Sequence, residues 1–422
     1  MDIVGNVIER KAIGKEALAS FISAYLAGET SREEMTRFLR AVCEHGLSEE
    51  DTISLTEVML ESGERMSFKP REYPYADKHS TGGVADTTTL IVGPIVAAAG
   101  VPFLKMSGRK LGHTGGTIDK LECFRGIKVE MTVAQAEAVV DKVGAAIIAQ
   151  SKELVPADKA LYKLRDETDT VKSLPLIASS VVSKKLAGGS DVLVLDVKTG
   201  KGAFMETIEE GEKLARLMVH ILKASGKRAA AFLTDMDSPL GCGVGSLLEV
   251  LEAIDILSGR SEGRLRDLSL RLAGKLISLA KGVSDDEGGR EATEMLESGR
   301  ALAKLREIVS AQGGSTELFD GKYRDRVLSC DAGNVVLPIK EGYVESIDCV
   351  KLGNLAREFE AAGGYGFRVP VKVGSKVSPR MELVRLCGEK RATPEFIAEV
   401  SSCFTVTDTP VEENPLIYEI VT

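Results

Sequence analysis

The sequence contains no tryptophan, and aromatic residues make up only 5% of its 422 residues. A core with so few rings must be built mainly from aliphatic side chains. Hydrophobic residues reach 44% and charged residues 28%, which are ordinary values for a folded globular protein. A chain of this length exceeds one hydrophobic core, so we expect about two to three domains.

Other scarcities exclude classes of function. The net charge of −9 disfavours a general nucleic-acid binder, which usually has a basic excess. The longest weakly polar run, 90–106, is too short and too interrupted by glycine and proline to span a membrane, and the first residues lack the apolar segment of a signal peptide. Seven cysteines without CxxC spacing favour free thiols in a reducing cytosol. We therefore expect a cytoplasmic protein that binds neither nucleic acid nor membranes.

The hydrophobic periodicity divides the chain into three kinds of region. Helical patterns fill 1–66 and return at 156–187, so these ranges are assigned to one helical domain. Apolar runs at 101–106, 145–150, 191–198 and 229–236 alternate with helical patterns, which is typical of a largely parallel, covered sheet. We assign 70–155 and 188–330 to this α/β domain. Short strands and turns in 335–422 indicate a C-terminal α+β domain. The predicted fold class is α/β: a small helical domain, a mixed α/β-sheet domain and the α+β domain.

Two glycine-rich loops carry the chemistry. They are "DKHSTGGVADTTT" (77–89) and "KMSGRKLGHTGGTIDKLE" (105–122), and each leads into a predicted helix, one over 84–99 and one capped by Thr117. Glycines let backbone N–H groups approach a ligand, and a helix N-terminus favours an anion. Both loops are expected at one sheet edge, where they would form an oxyanion cradle. A plain glycine turn with solvated lysines is the alternative. Neither loop matches the Walker A pattern, and "GCGVGS" at 241 lacks the third glycine of a dinucleotide site.

Further candidate residues lie in the second helical range and in the first loop. Ser180 and Lys184 share one helix face, and with Arg165 they could contact the carbonyl groups of a flat heterocycle. On sequence alone a solvated helix face is the favoured alternative. His79 could donate a proton to a leaving group, with His113 a weaker candidate. A lone loop histidine is more often a hydrogen-bonded neighbour.

These stretches carry a resemblance to a known family. The two loops, together with "PADKALYKLRD", "IASSVVSKKLA" and "VLDVKTGKGAFM", resemble in order and spacing the pyrimidine-nucleoside and thymidine phosphorylases. The resemblance implies phosphorolysis of a pyrimidine nucleoside (uridine, thymidine or deoxyuridine) to the free base and (deoxy)ribose 1-phosphate, which is a pentosyl transfer. It also implies a homodimer and a fold similar to that of type-III phosphoribosyltransferases such as anthranilate phosphoribosyltransferase.

The resemblance also assigns roles to residues. It implies a phosphate site made of Lys78, His79, Ser80, Thr89, Lys105, Met106, Ser107 and Thr117. It implies a base site made of Leu111, Tyr162, Arg165, Ser180 and Lys184, with His79, Arg165 and Lys184 catalytic. No cofactor is required, but some members bind potassium, and that site would map to Ala85, Thr87, Leu240, Gly243 and Glu252.

The sequence departs from the family pattern at several positions. Ala85 stands where the family usually has glycine, so the family's backbone geometry beside the potassium site does not carry over directly to this chain. Lys110 and Lys201 are additional cations, which we interpret as solvent-facing, although they could favour a more anionic substrate. Three alternatives therefore stay open: phosphorolysis of another N-riboside or a nucleoside monophosphate, phosphoribosyl transfer with magnesium at Asp119 and Glu122, and nucleoside binding without turnover.

Overall fold

The protein is described by a computed structural model over residues 2–109, 115–150, 154–329, 334–389 and 391–422. Within these ranges the strands are β1 (Ala76–Ser80), β2 (Phe103–Ser107), β3 (Ala145–Ala149), β4 (Val192–Thr199), β5 (Arg228–Asp235), β6 (Gly243–Val244), β7 (Val335–Val336), β8 (Gly342–Ile347), β9 (Gly364–Arg368), β10 (Lys376–Val377), β11 (Val384–Gly388), β12 (Phe404–Thr407) and β13 (Ile417–Val421). The four apolar runs predicted as strands are confirmed as β2, β3, β4 and β5, with ends shifted by one or two residues.

The helices of the described ranges are α1 (Ile3–Ile8), α2 (Lys15–Leu26), α3 (Arg32–His45), α4 (Glu49–Glu61), α5 (Thr88–Ala98), α6 (Thr117–Leu121), α7 (Val133–Val143), α8 (Pro156–Glu167), α9 (Leu174–Ala187), α10 (Ile208–Ala224), α11 (Ser246–Leu257), α12 (Arg264–Lys281), α13 (Asp285–Glu297), α14 (Arg300–Ala311), α15 (Gly321–Leu328), α16 (Cys349–Ala361) and α17 (Pro394–Ser401), with a 3₁₀ turn at Glu317–Phe319. Within those same ranges, none of the helices combines the length and apolar character that a bilayer crossing demands.

A six-stranded sheet forms the centre of the described structure, in the order β13-β5-β4-β1-β2-β3. β1 to β5 are parallel, and β13 runs antiparallel to β5, so the sheet is mixed as the sequence predicts. Because parallel strands end on the same side, the loops after β1, β2 and β4 leave from one edge. That edge is where open α/β sheets bind ligands.

Both faces of the sheet are covered, which explains why β2 to β5 are largely apolar runs rather than alternating patterns. On one face α5, α12 and α14 pack in a mainly aliphatic core with Phe103 and Phe124. On the other face α10 packs with the N-terminal helices. The core is therefore aliphatic with few rings, as the composition predicts.

The N-terminal helices pack with two helices from later in the chain. α4 lies against α9, and α2 and α3 lie against α8. α3 shows why such a helix forms: Ser31 Oγ accepts the Glu34 N–H at its start, and Met35, Phe38 and Leu39 form its buried face. These contacts bring α8 and α9 to the same edge of the central sheet as the glycine loops.

The C-terminal region is α+β, with small sheets in the orders β10-β8-β12 and β6-β9-β11-β7 and a core of its own. The strands that belong to this region do not coincide with the expected range 335–422. β6, at 243–244, pairs with β9 of this region, whereas β13 leaves the region and pairs with β5. β13 covers the backbone edge that β5 would otherwise expose, which is a physical reason for its return.

Two helix starts also differ from prediction. α5 begins at Thr88 rather than at residue 84, because Ala85 adopts φ +58°, which an α-helix cannot contain. α6 begins at Thr117 itself, with Gly116 in the capping position, and the Asp119 carboxylate accepts the Gly116 N–H. The first loop is therefore longer than expected by four residues, and the second is shorter by one.

Candidate active site

The two glycine loops and the α8–α9 pair meet at one cavity of about 780 Å³. The expected site residues that line it are His79, Ser80, Thr89, Lys105, Met106, Ser107, Thr117, Tyr162, Arg165, Ser180 and Lys184. Residues separated by up to about a hundred positions in sequence therefore face one volume. The expected convergence of the two loops with the cationic helix face is what the tertiary structure shows.

The first loop is held open toward the cavity by its own backbone. Gly82 has φ +96°, a conformation that a side chain would strain, and a Cβ on Gly83 would lie 2.5 Å from Met236 Sδ. The Thr81 N–H donates to the Asp196 carbonyl on β4 at 3.0 Å. These restraints present Ser80 to the cavity, with Thr89 in the first turn of α5.

Lys78 does not lie where it could bind phosphate. Its side chain is fully buried and does not line the cavity. Its ammonium lies 2.5 Å from Thr88 Oγ1 and 3.4 Å from Asp196 Oδ2, and Lys198 forms a second ion pair with Asp196 at 2.8 Å. The Lys78 ammonium therefore pairs with groups beneath the first loop. In this arrangement it stabilises the loop and does not contact an anion in the cavity.

A second pair of lysines forms the floor of the cavity around Asp77. Lys185 Nζ donates to Asp77 Oδ2 at 2.8 Å, and Lys105 Nζ donates to the Lys78 carbonyl at 2.7 Å, 3.8 Å from Asp77 Oδ1. Burial, followed by repulsion from Lys185, holds the pKa of Lys105 well below its usual value. One carboxylate thus faces two lysines, and an anion in the cavity would favour the charged form of Lys105.

His79 lies at the end of β1 and lines the cavity. Burial and four surrounding lysines, Lys185, Lys105, Lys78 and Lys184, hold its pKa well below 6.5. The imidazole is therefore neutral at neutral pH and can donate one N–H while its other nitrogen accepts. A standing imidazolium, the simplest form of a general acid, does not fit this environment.

The opposite end of the cavity is formed by α8 and α9. Lys184 Nζ donates to Asp158 Oδ2 and to Ser180 Oγ, both at 2.8 Å, and it lies 5.8 Å from the centre of the Tyr162 ring. An ammonium has three donors, so one N–H is not used in these two bonds. The solvated-face alternative is wrong for this segment, because these groups line a cavity.

Arg165 is 2% exposed and is fixed by the turn between α8 and α9. It donates to the carbonyls of Thr170, Val171 and Leu176 at 3.3, 2.8 and 3.1 Å. Burial lowers its pKa, although a guanidinium stays charged. These bonds use three of the five N–H groups of the guanidinium. Arg165 therefore presents a fixed positive charge to the cavity and keeps two further N–H groups that can donate.

Apolar side chains complete this end. Ile177, Val181, Phe204 and Leu214 line the same volume, Phe204 from the loop after β4. A planar ring could lie against these side chains while its polar edge meets the cations. The arrangement is amphipathic, with hydroxyls and lysines at the loops and an apolar wall with fixed cations at the helices.

Sequence reasoning missed three carboxylates and one lysine of the site: Asp77, Asp86, Asp158 and Lys185. Asp158, Tyr162 and Arg165 share one face of α8 at helical spacing, which is a signal that could have found Asp158. Asp86 belongs to the first quoted loop but was not assigned a role. Leu111, Lys110 and His113 lie outside the described residues. Lys201 is exposed and does not line the cavity.

The expected potassium residues lie beside the cavity rather than in it. The Ala85 carbonyl accepts the Gly241 N–H at 3.2 Å, and the half-buried Glu252 carboxylate accepts the N–H groups of Cys242 and Gly243. Burial raises the pKa of Glu252, so its charge is not fully compensated, even with the Lys372 ammonium 2.6 Å from the Gly241 carbonyl. A carboxylate whose charge is only partly compensated is compatible with a bound monovalent cation. Ala85 keeps a left-handed backbone although it is not glycine.

Comparison with known proteins identifies the family. Residues 1–63 match a model described as the helical bundle domain of a glycosyl transferase family, and residues 72–302 match the a/b domain of that family. The chain is 40% identical over 411 residues to pyrimidine-nucleoside phosphorylase of Bacillus subtilis, covering 95% of this chain and 94% of that protein. It is 38% identical over 427 residues to the pyrimidine-nucleoside phosphorylase of Geobacillus stearothermophilus, covering 99% of each.

A solved structure supports the fold alone. Anthranilate phosphoribosyltransferase from Thermus thermophilus superposes with a TM-score of 0.61 at 20% identity, covering 74% of this chain and 100% of that one. The predicted helical and α/β organisation is confirmed by this likeness. By the identity and coverage of its relatives, the chain belongs to the pyrimidine-nucleoside phosphorylase family.

Proposed function

We propose that this protein catalyses the phosphorolysis of pyrimidine nucleosides, giving the free base and (deoxy)ribose 1-phosphate. One observation carries the proposal: a single cavity joins a loop end rich in hydroxyls and lysines to a helix end where Arg165 and Lys184 face an apolar wall. The first end suits inorganic phosphate, and the second suits a pyrimidine ring. The family membership supports the same reaction.

The site residues divide the reaction between them. Phosphate held by Ser80, Thr89, Ser107 and Thr117, with Lys105 below, would attack the anomeric carbon as the bond to the base breaks. The bonding electron pair stays with the pyrimidine, so negative charge grows on the ring and its carbonyl oxygens. Fixed cations that face this charge in a water-poor site lower the barrier without reorganising. Holding both reactants in one cavity removes much of the entropic cost.

Arg165 and Lys184 would stabilise the leaving base, because their other hydrogen bonds already fix their positions. His79, being neutral, would donate an N–H hydrogen bond to a base carbonyl oxygen rather than transfer a proton from a standing imidazolium. No cofactor takes part in these steps. Potassium held by oxygens of Ala85, Thr87, Leu240, Gly243 and Glu252 would supply a fixed positive charge behind the first loop.

The proposal is tested by incubating the purified protein with uridine, thymidine and deoxyuridine, with and without inorganic phosphate. Release of uracil or thymine that depends on phosphate, with formation of a sugar 1-phosphate, is the expected result. Absence of release from all three nucleosides would contradict the proposal. Other N-ribosides and nucleoside monophosphates in the same panel test the broader alternative.

Phosphoribosyl transfer is less well supported by the geometry. The expected magnesium residues Asp119 and Glu122 both lie beside Arg109, and Asp119 also accepts the Gly116 N–H. These contacts already compensate the carboxylates. Phosphoribosyl diphosphate with magnesium should therefore give no transfer to a free base.

The assembly and compartment belong to the same proposal. We infer a homodimer formed through the helical region, where Ile8 and Leu26 are 50% and 43% exposed. In the described ranges six cysteines are free, which suits a reducing cytoplasm. The expected substrates remain a pyrimidine nucleoside and phosphate, without nucleic acid or membrane. Light scattering at increasing protein concentration tests the dimer.

A further inference from the structure

Asp86 is a carboxylate in the wall of the cavity end that is assigned to phosphate. It lines the cavity together with Ser80, Thr89 and Thr117, and its side chain is 6% exposed. A carboxylate is unexpected in an oxyanion cradle, because it repels an anion and has only acceptors. Its presence requires a physical account.

The contacts of Asp86 keep it ionised and fixed. Oδ1 accepts the Thr88 hydroxyl at 2.6 Å and the Thr88 N–H at 3.3 Å, and Lys78 Nζ lies 3.9 Å from the same oxygen. The Lys120 ammonium donates to the Asp86 backbone carbonyl at 2.6 Å. Lys78, Lys198 and Lys120 hold the pKa of Asp86 well below its usual value although the group is buried. Asp86 is therefore an acceptor at every pH at which the enzyme would work.

Asp86 also determines what Ser80 can offer. The Ser80 hydroxyl donates its one hydrogen to Asp86 Oδ2 at 2.5 Å and accepts the Gly82 N–H at 3.1 Å. Ser80 therefore presents a lone pair to the cavity rather than a hydrogen. This corrects the simple expectation of Ser80 as a donor to phosphate: with Asp86 it forms an acceptor pair, whereas Thr89, Ser107, Thr117 and Lys105 supply donors.

We propose that the Asp86–Ser80 pair selects a tetrahedral oxyanion that carries an O–H group, so that hydrogen phosphate binds and sulfate is rejected. Phosphate and arsenate keep at least one O–H at neutral pH and can donate it to the pair. Sulfate has no O–H and would place bare oxygens against a fixed carboxylate. This inference rests on the proposed function, since it assigns the acceptor that recognises the phosphate co-substrate.

The expected selectivity for phosphate over sulfate follows from one charge-assisted hydrogen bond, which phosphate can donate to the pair and sulfate cannot. Such a bond corresponds to a selectivity of roughly tenfold or more. Monofluorophosphate is a sharp probe, because it is a dianion of nearly the same shape as hydrogen phosphate but has no O–H at neutral pH. The Asp86–Ser80 pair should reject monofluorophosphate as it rejects sulfate. Because monofluorophosphate matches hydrogen phosphate in charge and nearly in shape, this result would show that the selectivity comes from the O–H group.

The experiment measures binding without nucleoside, by isothermal titration of the full-length protein with phosphate, arsenate, sulfate and monofluorophosphate at constant ionic strength. The wild type should bind the first two at least about tenfold more tightly than the last two. Asp86→Asn should weaken phosphate binding and reduce this preference at least about tenfold. Asp166→Asn, which removes an exposed carboxylate of α8 that does not line the cavity, should keep the wild-type preference.

Ser80→Ala keeps the test decisive if Asp86→Asn does not fold. Ser80→Ala removes one acceptor of the pair and leaves the carboxylate, so the preference over sulfate should become smaller but should not disappear. Sulfate or monofluorophosphate binding to the wild type within a few-fold of phosphate would overturn the inference, as would an unchanged preference in Asp86→Asn or, where that variant does not fold, in Ser80→Ala. Because no turnover is measured, a protein that selects phosphate but releases no base would refute the proposed function and leave this inference standing.

Discussion

The ammonium of Lys184 lies 2.8 Å from the carboxylate of Asp158, across the gap between α9 and α8. The ion pair fixes a long, flexible side chain in one position before any substrate arrives. A cation fixed in this way can oppose charge on a leaving base at no further ordering cost.

Lys184→Ala should therefore lower kcat/KM for phosphorolysis by about 10²- to 10³-fold, the typical effect of losing one group that stabilises developing charge. The measurement is steady-state kinetics with uridine and phosphate. Lys223→Ala, an exposed lysine at the end of α10, is the matched control and should leave kcat/KM unchanged. A Lys184→Ala enzyme within a few-fold of wild type would remove Lys184 from the mechanism.

Lys78 should behave as a structural cation rather than a phosphate ligand. Lys78→Met leaves Asp196 with one of its two ammonium partners and removes a charge near Asp86, so the free energy of unfolding should fall by about 3–5 kcal/mol. Urea denaturation followed by circular dichroism measures this loss, with Lys223→Met as control. Unchanged stability together with a selective rise in the KM for phosphate would instead show direct contact.

The neutral state of His79 predicts an acid-sensitive stability. Its pKa in the folded protein lies well below 6.5, whereas the unfolded chain protonates near 6.5. The unfolded state therefore binds a proton first as pH falls, and stability is lost from about pH 6.5 downward, by up to roughly 1.4 kcal/mol per pH unit. His79→Gln should show a smaller loss between about pH 6.5 and 5. Identical curves for wild type and His79→Gln would count against a buried, neutral imidazole.

Glu360 predicts the opposite pH dependence. It lies on α16, and its Oε1 accepts the Ser246 N–H at the start of α11 at 2.8 Å. Burial raises its pKa from 4.5 to about 7, so the folded protein binds the proton more tightly than the unfolded chain does. The stability from this proton is present below pH 4.5 and is lost as pH rises through about 7.

Glu360→Gln should consequently raise the thermal midpoint at pH 8, where the wild type holds a half-buried charge, by an amount equivalent to about 1–3 kcal/mol. At pH 4 the two proteins should unfold together. Differential scanning calorimetry at both pH values measures the change. A Glu360→Gln protein that is less stable than wild type at pH 8 would show that the carboxylate is favourably paired there.

Potassium binding predicts a stabilisation that depends on Glu252. Replacing sodium chloride with potassium chloride at equal ionic strength should raise the thermal midpoint, because an ion that binds the folded state stabilises it by mass action. Glu252→Gln should abolish the difference between the two salts while leaving the backbone hydrogen bonds largely in place. An equal midpoint in both salts for the wild type would argue that Lys372 already supplies the charge this region needs.

Much of the site could be predicted from local sequence. The spacing of apolar residues indicated β2 to β5, and the two glycine loops indicated an anion at a sheet edge. Arg165, Ser180 and Lys184 are candidates from their residue types and helical spacing, and Tyr162 is a candidate from the family resemblance. The structure places all four in the cavity. These features follow from short-range rules of periodicity, turn chemistry and helix ends, which a sequence displays directly.

The sequence by itself determined the aliphatic core, the alternation of strands and helices, and the chemistry of the loops, because each depends on residues close together in the chain. Only the tertiary structure decided which charges reach the ligand. Lys78 and Lys105 are the middle residues of two neighbouring strands, yet Asp196 lies close enough to pair with the first, whereas the second lines the cavity. Likewise Asp86 became an acceptor toward the ligand because Ser80, Thr88 and Lys78 surround it. The energy of an ion pair depends on the distance between its charges and on their burial in three dimensions, and neither can be read from the order of the residues.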